Sequence, residues 1–127
     1  MRPDAGGGLP QRGEIRRVET SDGATGAVVV VGRTALAART GRIACVPLRA
    51  PALGLPSEIA VAAASAVLPG AVVAADEPLA AALDELGELL GSLGPLDLEA
   101  LDGALRYSLD VPGPIPGRLG SLRALAP

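Results

Sequence analysis

The sequence predicts a mainly β chain with a helix near its end, an α+β fold, and three observations carry this. Residues 27–31 and 43–48 are apolar and rich in β-branched side chains without a helical period, which marks two buried strands. Shorter runs at 12–18, 57–61 and 71–75 are set off by Gly and Pro, as strands are. From Gly94-Pro95 onward, Leu98, Leu101, Leu105 and Leu109 fall on one helical face.

Taken in order, residues 1–11 are Gly/Pro-rich and predict a disordered segment. Residues 12–18 form a strand with Ile15 and Val18 inward, and residues 20–25 a polar loop. Between the two central strands, residues 32–42 carry Gly32, Arg33, Arg39, Gly41 and Arg42 and predict a long mobile loop. The second strand is expected to stop at Pro47, which has no N–H for a ladder. Arg33, Arg39, Arg42 and Arg49 together suggest a platform for an anionic partner. A solvated hairpin is the blander reading, and on residue types alone it outweighs the platform.

Residues 50–56 are loop, and 62–66 stay open between strand and helix, because an Ala run favours helix. Over 77–87, with Leu79, Leu83, Leu86, Leu90 and Leu93 on one stripe among Asp84, Glu85 and Glu88, the period predicts a helix. Gly87 and Gly91 argue against a single long one. The last helix opens at Pro95, with Asp97 and Glu99 near its positive N-terminus, and residues 112–117 end it. Residues 112–127 are a Pro/Gly-rich tail.

The chain of 127 residues has room for one domain. Its core lacks Phe and Trp, so it rests on Ala, Val and Leu, and borrowed stability from an interface is expected. His and Lys are absent and all eleven basic residues are Arg, which excludes His acid/base catalysis, Lys Schiff bases and His-ligated metals. Cys45 is alone in an apolar run and reads as an inert buried thiol. Net charge is −3, with a basic front half and an acidic back half. No apolar leader or membrane span is visible, and a cytoplasmic protein is expected.

Read together, residues 11–111 resemble the MazF/PemK toxins of bacterial toxin–antitoxin pairs. Arg12-Gly-Glu-Ile15 is similar to that family's R-G-[DE]-[IV] opening, and residues 27–31 stand where it has R-P-V-[LV]-[IV]-[IV]. Residues 42–48 look like its next strand, Gly54-Leu-Pro-Ser57 like its G-L-P loop, and Asp76-Glu77 falls where D-Q is common. Residues 90–97 resemble L-G-x-L-S-P-x-D.

The resemblance implies a small SH3-like (CcdB/PemK-type) β-barrel over 12–111 with a C-terminal helix. A last strand over 88–93 then replaces part of the helix that periodicity predicts. It also implies a homodimer that binds an antitoxin-like protein and cleaves single-stranded RNA without metal or cofactor. The family's catalytic Arg and Thr fall at Gly26 and Arg49, and the aromatic after its opening motif is Arg16. The expectation is a toxin of this kind, degenerate at its catalytic positions, with Arg33, Arg39, Arg42 and Arg49 as candidate RNA-binding residues. The alternative is a non-catalytic barrel that binds an antitoxin-like peptide or RNA.

Overall fold

Val28, Val29 and Val30 are all buried, and this decides the architecture. Consecutive side chains of a strand point to opposite faces, so a strand buried at three consecutive positions must be covered on both. The structure, a computed structural model, describes residues 8–19, 23 and 25–109. The segment expected to be disordered lies largely outside the described residues, and the 112–127 tail lies wholly outside them.

The valines belong to β2 (Thr25–Val30), which pairs antiparallel with β1 (Glu14–Glu19) on one side and β3 (Arg42–Arg49) on the other. β1 continues the sheet to β7 (Leu86–Ser92). β3 is shared: residues 42–45 pair with β6 (Leu79–Ala82), and Leu48 and Arg49 pair with β5 (Val72–Ala74), which carries the short β4 (Glu58–Ile59).

This sharing explains why β3 runs through Pro47 rather than stopping there. The Ala44 carbonyl accepts the Val31 N–H, so the even-numbered residues of β3 bond toward β2. The nitrogen of Pro47 then faces the opposite side, in the interval between the last β6 partner, Cys45, and the first β5 partner, Leu48. No ladder bond is lost there.

The hydrogen-bonded order is β4-β5-β3-β2-β1-β7 with β6 beside β3, so β4 and β7 end the path and the barrel stays open. α2 (Ala62–Val67), formed by the Ala run, touches both β5 and β7 across that gap. Small Ala side chains allow this close approach. α3 (Pro95–Leu109) buries Leu101 and Ala104 and touches β4.

Two expectations are corrected. The long loop before β3 is instead α1 (Thr34–Thr40), an Ala/Leu helix. It ends at Gly41, whose φ of 78° and N–H bond to the Ala37 carbonyl make the left-handed C-terminal turn that glycine permits. The helix predicted over 77–87 is instead β6, a single 3₁₀ turn at Leu83–Glu85, and the start of β7. Ala80 and Ala81 fit the ladder against β3, the Gly41 carbonyl takes the Leu83 N–H, and the Glu85 carboxylate accepts the Ala82 N–H at 2.9 Å. Non-local pairing overrides the local helical period. The strand implied over 88–93 is present and begins two residues earlier.

The alternation of β2 divides the core. Val29 joins Ile15, Val46, Val73 and Leu101 beneath α2 and α3, while Val28 and Val30 join Ile43, Cys45 and Ala81 beneath α1. Burial pushes the Cys45 thiol up to about 11, which keeps it protonated and inert.

Candidate functional site

The end of β3 places Arg49 against three carboxylates. Its Nη1 donates to Glu58 Oε2 at 2.7 Å, and its Nη2 donates to Asp76 Oδ2 at 2.7 Å and to Glu77 Oε2 at 2.9 Å. The Arg49 and Glu58 side chains are 13% and 4% exposed, whereas Glu77 is 60% exposed. Sheet pairing brings them within reach: β5 lies between β3 and β4, Glu58 pairs with Ala74 at the end of β5, and the long Arg49 side chain extends from its own partner, Val72, back to Glu58 and the turn after β5.

Each acid has further work. Glu58 accepts the backbone N–H groups of Leu53, Gly54 and Leu55 at 2.8–3.1 Å, which fixes the loop before β4. Asp76 accepts the hydroxyl of buried Ser57 at 2.8 Å. Burial would raise the Glu58 carboxyl, but Arg49 and the three N–H groups outweigh it and hold it at about 2. The Arg49 hydrogen bond lowers Asp76, and the Asp76 and Glu58 bonds raise Arg49 still further above its ordinary range. The guanidinium is therefore permanently charged and held by all three acids. One cation against three anions leaves the cluster with a net formal charge of −2, which repels a phosphate rather than cradling it. Ser57 directs its proton at Asp76, but the Arg49 hydrogen bond lowers that carboxyl and makes it a weak base.

Gly26 lies on β2 opposite Val18 of β1. The β2–β3 register that pairs Val28 with Pro47, carried two residues on, sets Gly26 level with Arg49, so both positions share one end of the sheet. A Cβ at Gly26 would meet nothing within 4 Å, and the residue lines a groove of about 430 Å³ with Arg17, Ala27, Val67 and Leu90. Arg16 is held by Glu14 at 2.9 Å and donates to the Gly87 carbonyl, so it too is engaged in the sheet.

Arg33, Arg39 and Arg42 sit at the opposite end of β3. Arg33 immediately precedes α1, Arg39 is in its last turn, and Arg42 opens β3. All three are exposed and none forms an ion pair with a described residue; Arg42 reaches the Ala80 carbonyl at 3.5 Å. Seven residue steps along the strand, roughly 23 Å, separate Arg42 from Arg49. The structure brings three of the four arginines into one neighbourhood and puts Arg49 elsewhere. Sequence reading missed Glu58, Asp76 and Glu77 as partners of Arg49, and Ser57 as a partner of Asp76. The available signal was a lone Arg followed by an E and then a D-E pair, each at the border of a short apolar run.

No protein-family model matches the sequence, and no curated protein does. Solved structures do. An endoribonuclease in complex with its cognate antitoxin, from a mycobacterial species, superposes with a TM-score of 0.71 at 25% identity, covering 83% of this chain and 99% of that one. The chain has the fold of the MazF toxins. A second mycobacterial endoribonuclease gives the same TM-score at 24% identity, over 84% of this chain and 97% of its own. A MazE–MazF structure from Deinococcus radiodurans gives 0.70 at 20% identity, over 83% of this chain and all of its own.

The MazF fold accounts for the strand order and the C-terminal helix, and the resemblance read from short motifs holds across the barrel. Among the described residues, no group of three or more His, Cys, Asp or Glu is disposed to hold a metal ion, and no helix is long and apolar enough to cross a membrane.

Proposed function

We propose that this chain is the toxin component of a toxin–antitoxin pair of the MazF type. By resemblance it is a metal-independent endoribonuclease for single-stranded mRNA that is degenerate at Gly26 and Arg49, and it works in the cytoplasm as a homodimer. The observation that supports the reading is the match, along nearly the whole of the other chain, to an endoribonuclease solved with its antitoxin. RNA cleavage of this kind needs a group to take the 2′-hydroxyl proton and a donor for charge on the phosphate. Gly26 supplies neither, and the Arg49 guanidinium is permanently protonated and bound to three acids. Arg33, Arg39 and Arg42 remain as the surface for an RNA backbone.

The second reading, a non-catalytic barrel that binds an antitoxin-like peptide or RNA, is favoured by the same Arg49 cluster. Co-purification with the product of a neighbouring short reading frame, followed by an RNA cleavage gel in chelator after its removal, separates the two. A stable pair with weak cleavage above background supports the degenerate toxin, and a stable pair with none supports the non-catalytic barrel. Robust cleavage of single-stranded RNA overturns the degeneracy, and the lack of any stable pair overturns the toxin–antitoxin assignment.

A further inference from the structure

The loop before β4 grips one carboxylate as other proteins grip a bound anion. Leu53, Gly54 and Leu55 point consecutive N–H groups at Glu58: Oε1 accepts all three at 2.8–3.1 Å, and Leu53 also reaches Oε2 at 3.0 Å. Arg49 Nη1 completes the set, at 2.7 Å from Oε2. Gly54 has a φ of 79°, a left-handed conformation that lets successive N–H groups converge on one point. Converging amides beside a guanidinium make a concave donor site of the kind that takes anions from solution. Here the occupant is tethered, because Glu58 follows Gly54 by four residues, and its side chain is only 4% exposed. Residues 50–56 are all exposed, so the carboxylate, rather than apolar burial, holds the loop in place.

We propose that Arg49 and the N–H groups of residues 53–55 form an anion-binding pocket that the chain fills with its own Glu58, and that a small external monocarboxylate takes the same place once Glu58 is removed. Geometry selects the class of ligand. One oxygen takes three amides and the other takes the guanidinium, which suits the two oxygens of a planar carboxylate. Charge selects a monoanion. Without Glu58, Arg49 still faces Asp76 and Glu77, one positive charge against two negative, and the resulting −1 opposes a dianionic phosphate. Acetate matches the part that Glu58→Ala deletes, a carbon and its carboxylate, and the exposed loop leaves it a way in. In the wild type the tether gives Glu58 a local concentration that millimolar carboxylates in solution do not match, so the pocket stays filled and the loop latched. The pocket is independent of the toxin–antitoxin reading. It lies at the sheet end that Gly26 shares, and its donors are already spent there in the wild type.

The test is thermal unfolding of full-length Glu58→Ala in acetate, beside chloride and phosphate at matched ionic strength and neutral pH. Taken relative to the wild type in the same salt, the midpoint of Glu58→Ala should rise saturably with acetate. Half the effect should come at roughly 10–100 mM, as suits a ligand of so few atoms. Glu58→Gln, whose pocket is filled by a side chain of the same shape, should follow the wild type in every salt. Hydrogen exchange supplies a second measurement. The N–H groups of residues 53–55 should exchange at least about tenfold faster in Glu58→Ala than in the wild type, and acetate should restore their protection.

If Glu58→Ala does not fold in plain buffer, the readout becomes recovery of the native circular-dichroism spectrum in acetate, and failure to recover it overturns the pocket. The pocket is also overturned if chloride or phosphate gives the same relative gain as acetate, or if Glu58→Gln gains as much as Glu58→Ala. Wild-type amides at 53–55 that exchange at unprotected rates would likewise overturn it, because the latch would then be open in the resting chain.

Discussion

The two ends of β3 carry arginines in opposite circumstances. At its start, Arg42 and its neighbours Arg33 and Arg39 are exposed and make no ion pair with a described residue. At its end, Arg49 is mostly buried and bonded to Glu58, Asp76 and Glu77. The same side chain is a solvated charge in one place and a structural clamp in the other. What differs is the backbone around it: β4 and the turn after β5 deliver acids to one end, whereas α1 delivers only more arginine to the other. An arginine's role here follows from which strand ends surround it rather than from its spacing in the sequence.

The largest effect is expected at Arg49. Replacing it with Ala leaves Glu58 buried without its counter-charge and sets three carboxylates against one another, which is far costlier than losing an exposed arginine. Thermal unfolding should show Arg49→Ala lowering the midpoint at least about fivefold more than Arg42→Ala. Arg49→Lys should recover little, because one ammonium cannot reproduce the fork that holds Glu58 and Asp76 on separate nitrogens. Equal midpoints for Arg49→Ala and Arg42→Ala would abolish the contrast. For the same reason, Gly26→Arg with Arg49→Thr should leave RNA cleavage at background in a gel assay. The exchange restores the family's residue types but leaves three acids facing the phosphate.

Acid should then dissolve the clamp in a defined window. Glu58 titrates at about 2 in the folded chain against an ordinary 4.5, so the unfolded state binds its proton first as pH falls. Its contribution is whole above about pH 4.5 and is lost progressively toward about pH 2. Chemical denaturation of the wild type should lose stability across that interval, and Arg49→Ala should flatten the slope. An unchanged slope in the variant would assign the acid sensitivity elsewhere.

The central strands and the final helix were legible because their signals are local. Residues 27–31 have no helical period, and Pro95 with the leucine face behind it marks a helix start. The 77–87 stretch was not legible from its period, because strand pairing with β3 and the Gly41 contact to Leu83 are non-local. The family's motif order placed a strand only at 88–93, and neither reading placed β6. Residues 34–40 were read as loop because Gly and Arg flank them, although Ala-Leu-Ala-Ala is a good helix former. The Arg49 cluster joins residues up to 28 positions apart through a shared β5, and nothing in the spacing of charges along the chain announces that meeting.

Gly26 gives a smaller effect. It has no positive φ and a Cβ there meets open space, so Gly26→Arg alone should fold with a stability change within about 0.5 kcal/mol. A much larger loss would mean that the groove beside it closes on the added side chain.

The smallest effect lies at the exposed end of β3. If Arg33, Arg39 and Arg42 each neutralise one phosphate of a single strand, their joint replacement by Ala removes three contacts. Each contact contributes about 0.7 to the dependence of log binding constant on log salt, so the slope should fall by about two. Arg49→Gln should leave that slope unchanged, because its charge is already spent on carboxylates. The measurement is a filter-binding titration of a homopolymeric single strand at several salt concentrations, with each variant first shown to unfold cooperatively. Binding in low salt changes modestly, and the slope carries the information because it counts contacts irrespective of their individual strength. A triple variant with the wild-type slope would show that all four arginines are solvated or structural, and the two ends of β3 would then differ in burial alone.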